Sequence, residues 1–286
     1  MEGDLTFRFL GTGTSVGVPQ IGCDCPVCTS SDPRDKRRRC GAYVVSGDTA
    51  FLIDTPPEMR LACIEYGVKK VDAVLLTHAH MDHVAGFDDV RRFNSLNGTQ
   101  VPCAPGDPLY RGLPYRIVGK PMPCYALPET IDQMHKIFPY ISGKGGENGL
   151  FRPQIEFRDN TTPFRLGELA VEALRVEHDF PCCGYLFRAG ASSFAYVSDC
   201  HDIPAAALAK LRGVDVMVLN CLRVREHPTH LSLPRALGYL DCIAPKKAYL
   251  IPMCHDFTHR QWEEMLPPHI RPAYDGLVLE MRGGKW

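Results

Sequence analysis

Short apolar runs alternate with polar, turn-rich segments along the whole chain. Leu5 to Leu10 reads as a strand that runs into Gly11-Thr12-Gly13-Thr14-Ser15. Tyr43 to Val45 and Ala50 to Ile53 flank Ser46-Gly47-Asp48, a spacing that predicts a hairpin. Pro57 to Tyr66 predicts a helix, Val71 to Leu76 a strand, and Val84 to Asn94 a second helix. Residues 100 to 166 are rich in Pro and Gly and carry no clear period, with a glycine-rich, flexible stretch at 142–149. Strands resume at Leu169 to Val176, Cys183 to Arg188 and Phe194 to Val197. A helix follows at 204–212, then a buried strand at Val214 to Leu219. Ser232 to Ile243 predicts a helix with Ser232 at its N-cap, and Ala248 to Ile251 a last core strand. No segment repeats at a fixed period. Strands with interspersed helices predict an α/β (α+β) layered sandwich with helices outside.

Composition narrows this reading. With 286 residues and 45% hydrophobic content the chain can bury a sizeable core, and 1–286 reads as a single domain. The net charge of −1 supplies no global basic field, so nucleic acid is not an expected partner. One local basic run, Arg34, Lys36, Arg37, Arg38 and Arg39, reads as a solvated loop, an anionic-substrate contact or the edge of a metal knuckle. There are 13 cysteines, an odd number. The acidic N-terminus lacks the apolar core of a secretion signal, and no run approaches the roughly 20 apolar residues of a membrane span. These features predict a reducing, cytoplasmic location, with cysteines as thiols or metal ligands and no membrane partner.

The chemistry concentrates in Thr77-His78-Ala79-His80-Met81-Asp82-His83, directly after the strand ending at Leu76. A strand ending in such a loop can aim alternate side chains at one point. Imidazole with carboxylate suits zinc, manganese or iron. Other candidates also end apolar runs: Asp54 after Phe51-Leu52-Ile53, His178 just after Val176, and Asp199 after Val197-Ser198. The expected arrangement is binuclear. His78, His80 and His178 hold one cation, Asp82 and His83 a second, and Asp199 bridges them through its two oxygens. Asp54 is expected behind the loop, accepting hydrogen bonds that fix a ring tautomer. Separately, Gly22-Cys23-Asp24-Cys25-Pro26-Val27-Cys28 packs three thiols into a tight loop, a set suited to tetrahedral zinc with one more ligand.

The set Asp54, His78-x-His80-x-Asp82-His83, His178 and Asp199 resembles the metallo-β-lactamase superfamily, which implies an αββα sandwich. Hydrolases of thioesters, β-lactams, RNA and phosphodiesters share that fold, so the superfamily does not name a substrate. Cys23, Cys25 and Cys28, preceded by Gly11 to Pro19, resemble the phosphoribosyl 1,2-cyclic phosphate phosphodiesterase family. This likeness runs from Phe9 to about His259 and is loose over 100–166. It implies a structural zinc knuckle at 22–40 closed by a C-terminal His, and two active-site cations, Zn2+ or Mn2+. It also implies a small phosphate ester as substrate, attacked by a hydroxide held on the cations. His230, in Pro228-Thr229-His230-Leu231-Ser232, then acts as general acid and stands with Asp82 among the catalytic residues.

The chain departs from that family near its C-terminus. The usual Thr-His-x-Ser-His is replaced within Ile251-Pro252-Met253-Cys254-His255-Asp256-Phe257-Thr258-His259. A gapless match puts Pro252 where the last ligand of the second cation stands and His255 on the structural zinc. A shifted match makes His255 the cation ligand and His259 the zinc ligand. A metal-dependent phosphodiesterase is the leading reading. An RNA-processing nuclease, a thioester or lactone hydrolase, and a metal-binding protein with weakened catalysis remain beside it. The vicinal Cys182-Cys183, after His178, is placed near the cleft, and a homodimer is left open as the assembly.

Overall fold

Two seven-stranded sheets stack face to face, with helices on both outer surfaces. The computed structural model describes residues 4–106, 112, 115–141, 153–282 and 285–286. The first sheet contains β1 (Leu5–Gly11), β2 (Gly41–Ser46), β3 (Thr49–Ile53) and β4 (Ala73–Leu75). After a separate ribbon of β5 (Thr99–Pro102) and β6 (Tyr115–Val118), it is completed by β7 (Met122–Ala126), β8 (Ile155–Asp159) and the last strand, β16 (Val278–Met281). Their order is β16-β1-β2-β3-β4-β7-β8. The second sheet takes β9 (Phe164–Leu166), β10 (Leu169–Val176), β11 (Cys182–Ala189), β12 (Ser192–Val197), β13 (Val216–Asn220), β14 (Lys247–Ile251) and β15 (Ile270–Pro272). They run in the reverse spatial order, β15 to β9.

The period-2 pattern of each strand decides where its residues go, because successive side chains leave a sheet on opposite faces. Phe7, Phe51, Ile53 and Leu75 point to the shared core, as do Phe187, Phe194, Tyr196 and Val218 from the other sheet. Phe7 and Phe194 meet across the sandwich with ring centroids 4.6 Å apart. The alternate residues Leu52, Val74 and Leu76 face α1 (Met59–Glu65) and the segment after the His loop. Ala195, Val197, Met217 and Leu219 face outward onto a layer that includes α5 (Ala205–Leu211), α6 (Leu233–Ile243) and α7 (His259–Met265). Both faces of both sheets are thus buried, which explains the near-continuous apolar runs of the central strands.

Direction of travel places the site. β3, β4, β7 and β8 are mutually parallel, and so are β12 to β15. Asp54, the His loop, Asp199 and the segments after Asn220 and Ile251 therefore all leave their strands at one edge of the sandwich. A crevice outside the carboxyl ends of parallel strands is where α/β sheets seat ligands.

The structure modifies several expected elements. The hairpin at 43–53 forms as β2 and β3. The helix expected over Val84–Asn94 is instead broken into α2 (Met81–Val84), a 3-10 turn at Phe87–Val90 and α3 (Arg91–Leu96). The cause is tertiary: Thr55 N donates to His83 O at 2.7 Å and Gly86 N to Thr55 O at 2.9 Å, so the chain is tied to the end of β3. Ser232 does sit at the N-cap of α6, but its hydroxyl donates to Glu226 Oε1 at 2.7 Å instead of capping. The segment over 100–166 supplies β5 to β9 and α4 (Pro128–Ile137), which starts on a proline. The stretch 142–149 lies outside the described residues. Among the described residues no helix is long and apolar enough to cross a membrane.

Candidate metal centre

Asp54 is the anchor of the His loop. It follows β3 with φ 59°, in the left-handed region that Asp tolerates better than most residues, and is fully buried. Its amide donates to Leu75 O at 2.8 Å. Its carboxylate accepts from Thr77 N and Thr77 Oγ1, both at 2.8 Å, and from His83 Nδ1 at 2.7 Å. Burial pushes the carboxyl above the usual range, while the His83 charge and these donors work the other way. Thr77 Oγ1, having given its hydrogen to Asp54, accepts from His78 Nδ1 at 2.9 Å. One buried carboxylate thus sets the orientation of two imidazoles, so that Nε2 of each is the atom whose lone pair is offered to a cation.

Those lone pairs are not isolated. His78 Nε2 lies 3.0 Å from His80 Nδ1. His178, brought in by the end of β10, donates through Nδ1 to Thr229 O at 2.9 Å and so presents Nε2. The three rings form one group whose ligand atoms lie within 4.8 Å of one another. Burial holds His78 well below its usual pKa and His80 below it, so both stay neutral, the form a cation needs.

A second group adjoins the first. His83 Nε2 lies 2.9 Å from Asp199 Oδ2 and 3.4 Å from Asp82 Oδ2. His78, His83 and Asp199 also cluster within 4.8 Å. Burial opposes a charge on His83, but the Asp199 and Asp54 carboxylates outweigh it and hold its pKa well above normal. For Asp199 burial is likewise outweighed, by His83 first, and its pKa falls well below the usual range. Despite the short approach, the buried Asp199 Oδ2 has no aligned hydrogen-bond partner. A buried carboxylate oxygen with no aligned donor, 2.9 Å from an imidazole nitrogen, is the environment of a cation ligand. The donor set therefore fits two divalent cations of the zinc or manganese kind.

His230 stands over this pair. Asn220, the buried last residue of β13, accepts from Leu231 N at 2.7 Å and donates to Ser198 O at 2.6 Å. Its second amide hydrogen goes to His230 Nδ1 at 3.1 Å. The ring hydrogen of neutral His230 then sits on Nε2. Burial brings His230 down to about 4, with Asp199, 3.3 Å from Nδ1, opposing. His78, His80, Asp82, His83, His178, Asp199 and His230 line one cavity of about 440 Å³, together with Pro252, Cys254 and Arg223. That volume suits a small organic ligand.

The cysteine loop folds back beside this cavity. Sγ of Cys23, Cys25 and Cys28 lie 3.4, 3.5 and 3.3 Å from His255 Nδ1. A tetrahedral zinc with ordinary bond lengths sets sulfur and nitrogen about 3.5 Å apart, so this cage fits one. The Cys28 amide, at 3.4 Å, is the main cause that draws the Cys25 thiol down to about 7. His259 is not part of it. Its ring is buried against Arg37 Nη2 at 3.1 Å and its amide donates to Asp35 at 2.6 Å, where α7 begins. The shifted match is thereby corrected: three residues of turn separate the two histidines, and only the first reaches the cysteines. Pro252 faces the cavity and offers no ligand atom.

The sequence profile of the beta-lactamase superfamily domain matches residues 49–253. The chain belongs to the beta-lactamase superfamily. Within it, the chain resembles the PhnP family: a crystal structure described as a new diphosphatase from that family superposes with a TM-score of 0.82 and 34% identity, covering 98% of both chains. A Porphyromonas gingivalis protein named octanoyltransferase is 32% identical over 96% of this chain, which spans 51% of that protein. The chain therefore covers about half of that relative. A Methylobacterium coenzyme PQQ synthesis protein B is 24% identical, over 74% of this chain and 71% of the relative. Membership gives the chain the αββα fold of that superfamily.

Some participants escape sequence reasoning. Asn220 ends an apolar strand just as Asp199 does, a signal that could have flagged it. Thr77, inside the His loop, carries the Asp54–His78 relay. The basic run is spent elsewhere: Arg34 on Asp32, Arg38 on Glu65, Arg39 on Glu58, and Lys36 on Cys28 O. Arg37 is buried and binds Thr12 and the Ala273 carbonyl. Cys182 and Cys183 are buried thiols with pKa values raised by burial, and neither lines the cavity.

Proposed function

We propose that this protein is a phosphodiesterase acting on a small, cyclic or open phosphate ester. What carries the reading is the apposition of the His78, His80, His178 group with Asp82, His83 and Asp199 under His230, in a cavity of about 440 Å³. The PhnP-family diphosphatase, similar over 98% of both chains, supports phosphorus over carbon as the site of attack. The octanoyltransferase name belongs to a protein twice as long and lends this chain no acyl chemistry.

On this reading His78, His80 and His178 would hold one cation and Asp82 and His83 another, with Asp199 as a further carboxylate ligand. Bound there, divalent cations supply an acidified water and neutralise charge on the phosphoryl group. The chain's own contribution is positional. Asp54 and Thr77 orient His78 and His83, Thr229 orients His178, and Asn220 keeps a hydrogen on His230 Nε2, turned toward a leaving oxygen. Cys23, Cys25, Cys28 and His255 hold a structural zinc that fixes the 22–40 knuckle against the cavity wall. Hydrolysis of bis(p-nitrophenyl) phosphate and of ribose 1,2-cyclic phosphate with added Mn2+ tests the activity. No metal-dependent turnover of either would sink it. For the knuckle, His255→Ala should lose one zinc per chain by elemental analysis while His259→Ala keeps it.

Pro252 supports a second reading, a metal-binding protein with weakened catalysis. It leaves the second position with only Asp82, His83 and Asp199 as protein ligands. Metal analysis separates the two: one zinc per chain with none at the histidines favours the second, and two or three metals favour the enzyme.

A further inference from the structure

Gly13, just past β1, is bridged on one side by Arg39 and on the other by Met253. Gly13 N donates to Arg38 O at 2.7 Å, and Met253 N donates to Thr12 O at 3.0 Å. Cys40 follows Arg39 and Pro252 precedes Met253, and both line the metal cavity together with Gly13. No side chain can intrude from the glycine itself, since a Cβ there would lie 2.8 Å from Arg37 O. Cys40 and Pro252 therefore stand on either side of one bare stretch of backbone.

Cys40 is buried, and its Sγ donates to Gly13 O at 3.5 Å, a weak bond that still fixes where the sulfur sits. Burial pushes the thiol well above its ordinary range. The charges next in effect on it are those of Asp199, His83, Asp82 and Asp54. The first three are the ligands proposed for the second cation. Cys254 also lines the cavity, but its surroundings differ. Burial first raises it to about 11, and the groups next in effect are Asp256 and Arg223 at the rim. Asp199 supplies an independent mark of the same position. Its Oδ2 is buried in the cavity wall and has no aligned hydrogen-bond partner, as an oxygen reserved for a cation would be.

Counting imidazoles and carboxylates alone, the second position has three protein ligands, His83, Asp82 and Asp199. Zinc accepts thiolate beside both of those ligand types. We propose that Cys40 Sγ is a ligand of the second cation, reaching it from across Gly13 in place of the side chain that Pro252 does not offer. Binding exchanges the S–H bond for a sulfur–metal bond and the proton leaves to solvent, with no change of oxidation state. A thiolate makes this position favour zinc or cobalt over manganese, which prefers oxygen ligands. The proposal rests on the two-cation reading above and deepens it.

Cobalt reports sulfur ligation, because a thiolate–cobalt bond adds an intense charge-transfer absorption in the near ultraviolet that imidazole and carboxylate do not give. The full chain, keeping its knuckle zinc but cleared of weaker cations, is titrated with Co2+. Zinc content is followed by elemental analysis, so that cobalt entering the knuckle is not mistaken for the signal. In the wild type the band should grow as the second cobalt binds. Cys40→Ser should abolish it and weaken that cobalt roughly tenfold or more, read by competition with a chelating dye. Cys254→Ser should keep both the band and the affinity. An unchanged melting temperature for metal-free Cys40→Ser shows that the loss is not unfolding; if that variant does not fold, the wild type and Cys254→Ser decide. Two bound cobalt ions without the band overturn the proposal, as does a band that survives in Cys40→Ser or disappears in Cys254→Ser. If the wild type takes up no cobalt beyond the knuckle, the two-cation reading itself fails and takes the proposal with it.

Discussion

Single atoms decide the chemistry here. Asp54 accepts three hydrogen bonds and thereby sets which nitrogen of His78 and His83 is offered to a cation. On the proposed two-cation reading, Pro252 stands where a ligand of the second cation would be, and the remedy is local. Pro252→His should tighten the weaker cation by roughly tenfold or more, read by competition with a chelating dye. No change in affinity would mean that Pro252 is not the limiting residue. His230 makes a different prediction, tied to its proton. His230→Asn should lower kcat about 10²–10⁴-fold for an alkyl ester, whose leaving oxygen needs a proton. It should lower kcat far less for p-nitrophenyl esters, whose leaving group needs none. Equal losses on both would move His230 from proton donor to a structural role. His78, His80, Asp82 and His83 were legible because four metal-competent side chains fall within six positions after a strand. Asn220 and Cys40 were not, since an Asn at a strand end and a Cys after a basic run are ordinary in sequence.

Elements position these atoms through backbone contacts that no pattern of hydrophobicity encodes. Thr55 and Gly86 tie the turn after His83 to the end of β3. A Cβ on Gly86 would lie 2.3 Å from Pro56 O, a clash that only backbone movement relieves. Gly86→Ala should therefore destabilise the fold by about 1–3 kcal/mol and weaken metal binding together. Thermal melts with and without Mn2+ would show both. Destabilisation with unaltered metal affinity would show that the His loop does not depend on this contact. The same tie explains why one helix over Val84–Asn94 became two short helices and a 3-10 turn. The regular strands were read well for the opposite reason. β3 and β12 are largely buried on both faces, while β2, β10 and β14 alternate buried with more exposed positions, and that demand is written directly into residue type.

At the scale of the whole molecule, the two sheets close on one buried layer, and the ends of β3, β4, β10, β12, β13 and β14 bring the site residues together at one edge of it. The groups repel or pair until a cation arrives, so pH and metal are linked. His83, raised above 6.5 by Asp199 and Asp54, keeps a proton in the metal-free protein that a cation must displace. Metal binding should release protons, and apparent affinity should fall as pH drops through that raised value; calorimetry in buffers of different ionisation enthalpy reads this. The sign for stability without metal is the reverse. His83 stabilises the metal-free fold fully below 6.5 and loses that effect as pH rises through its raised value. Asp199, lowered below 3.8, contributes above that value and loses it as pH falls further. Chelation should lower the melting temperature by several degrees, since cations bind the folded site and not the dispersed ligands.

The sequence alone determined the class of fold and marked the His loop, the strand-end residues and the cysteine triad as candidate metal ligands. Each is a local pattern whose spacing already implies its chemistry. It left two histidines, His255 and His259, as rivals for the cysteines, and it made Cys40 look like any buried thiol. Only the tertiary structure decided those points. Sulfur-to-nitrogen distances, and the contact of Gly13 with Met253 that sets Cys40 and Pro252 on either side of it, depend on residues more than 200 positions apart. Neither is fixed until the two sheets pack.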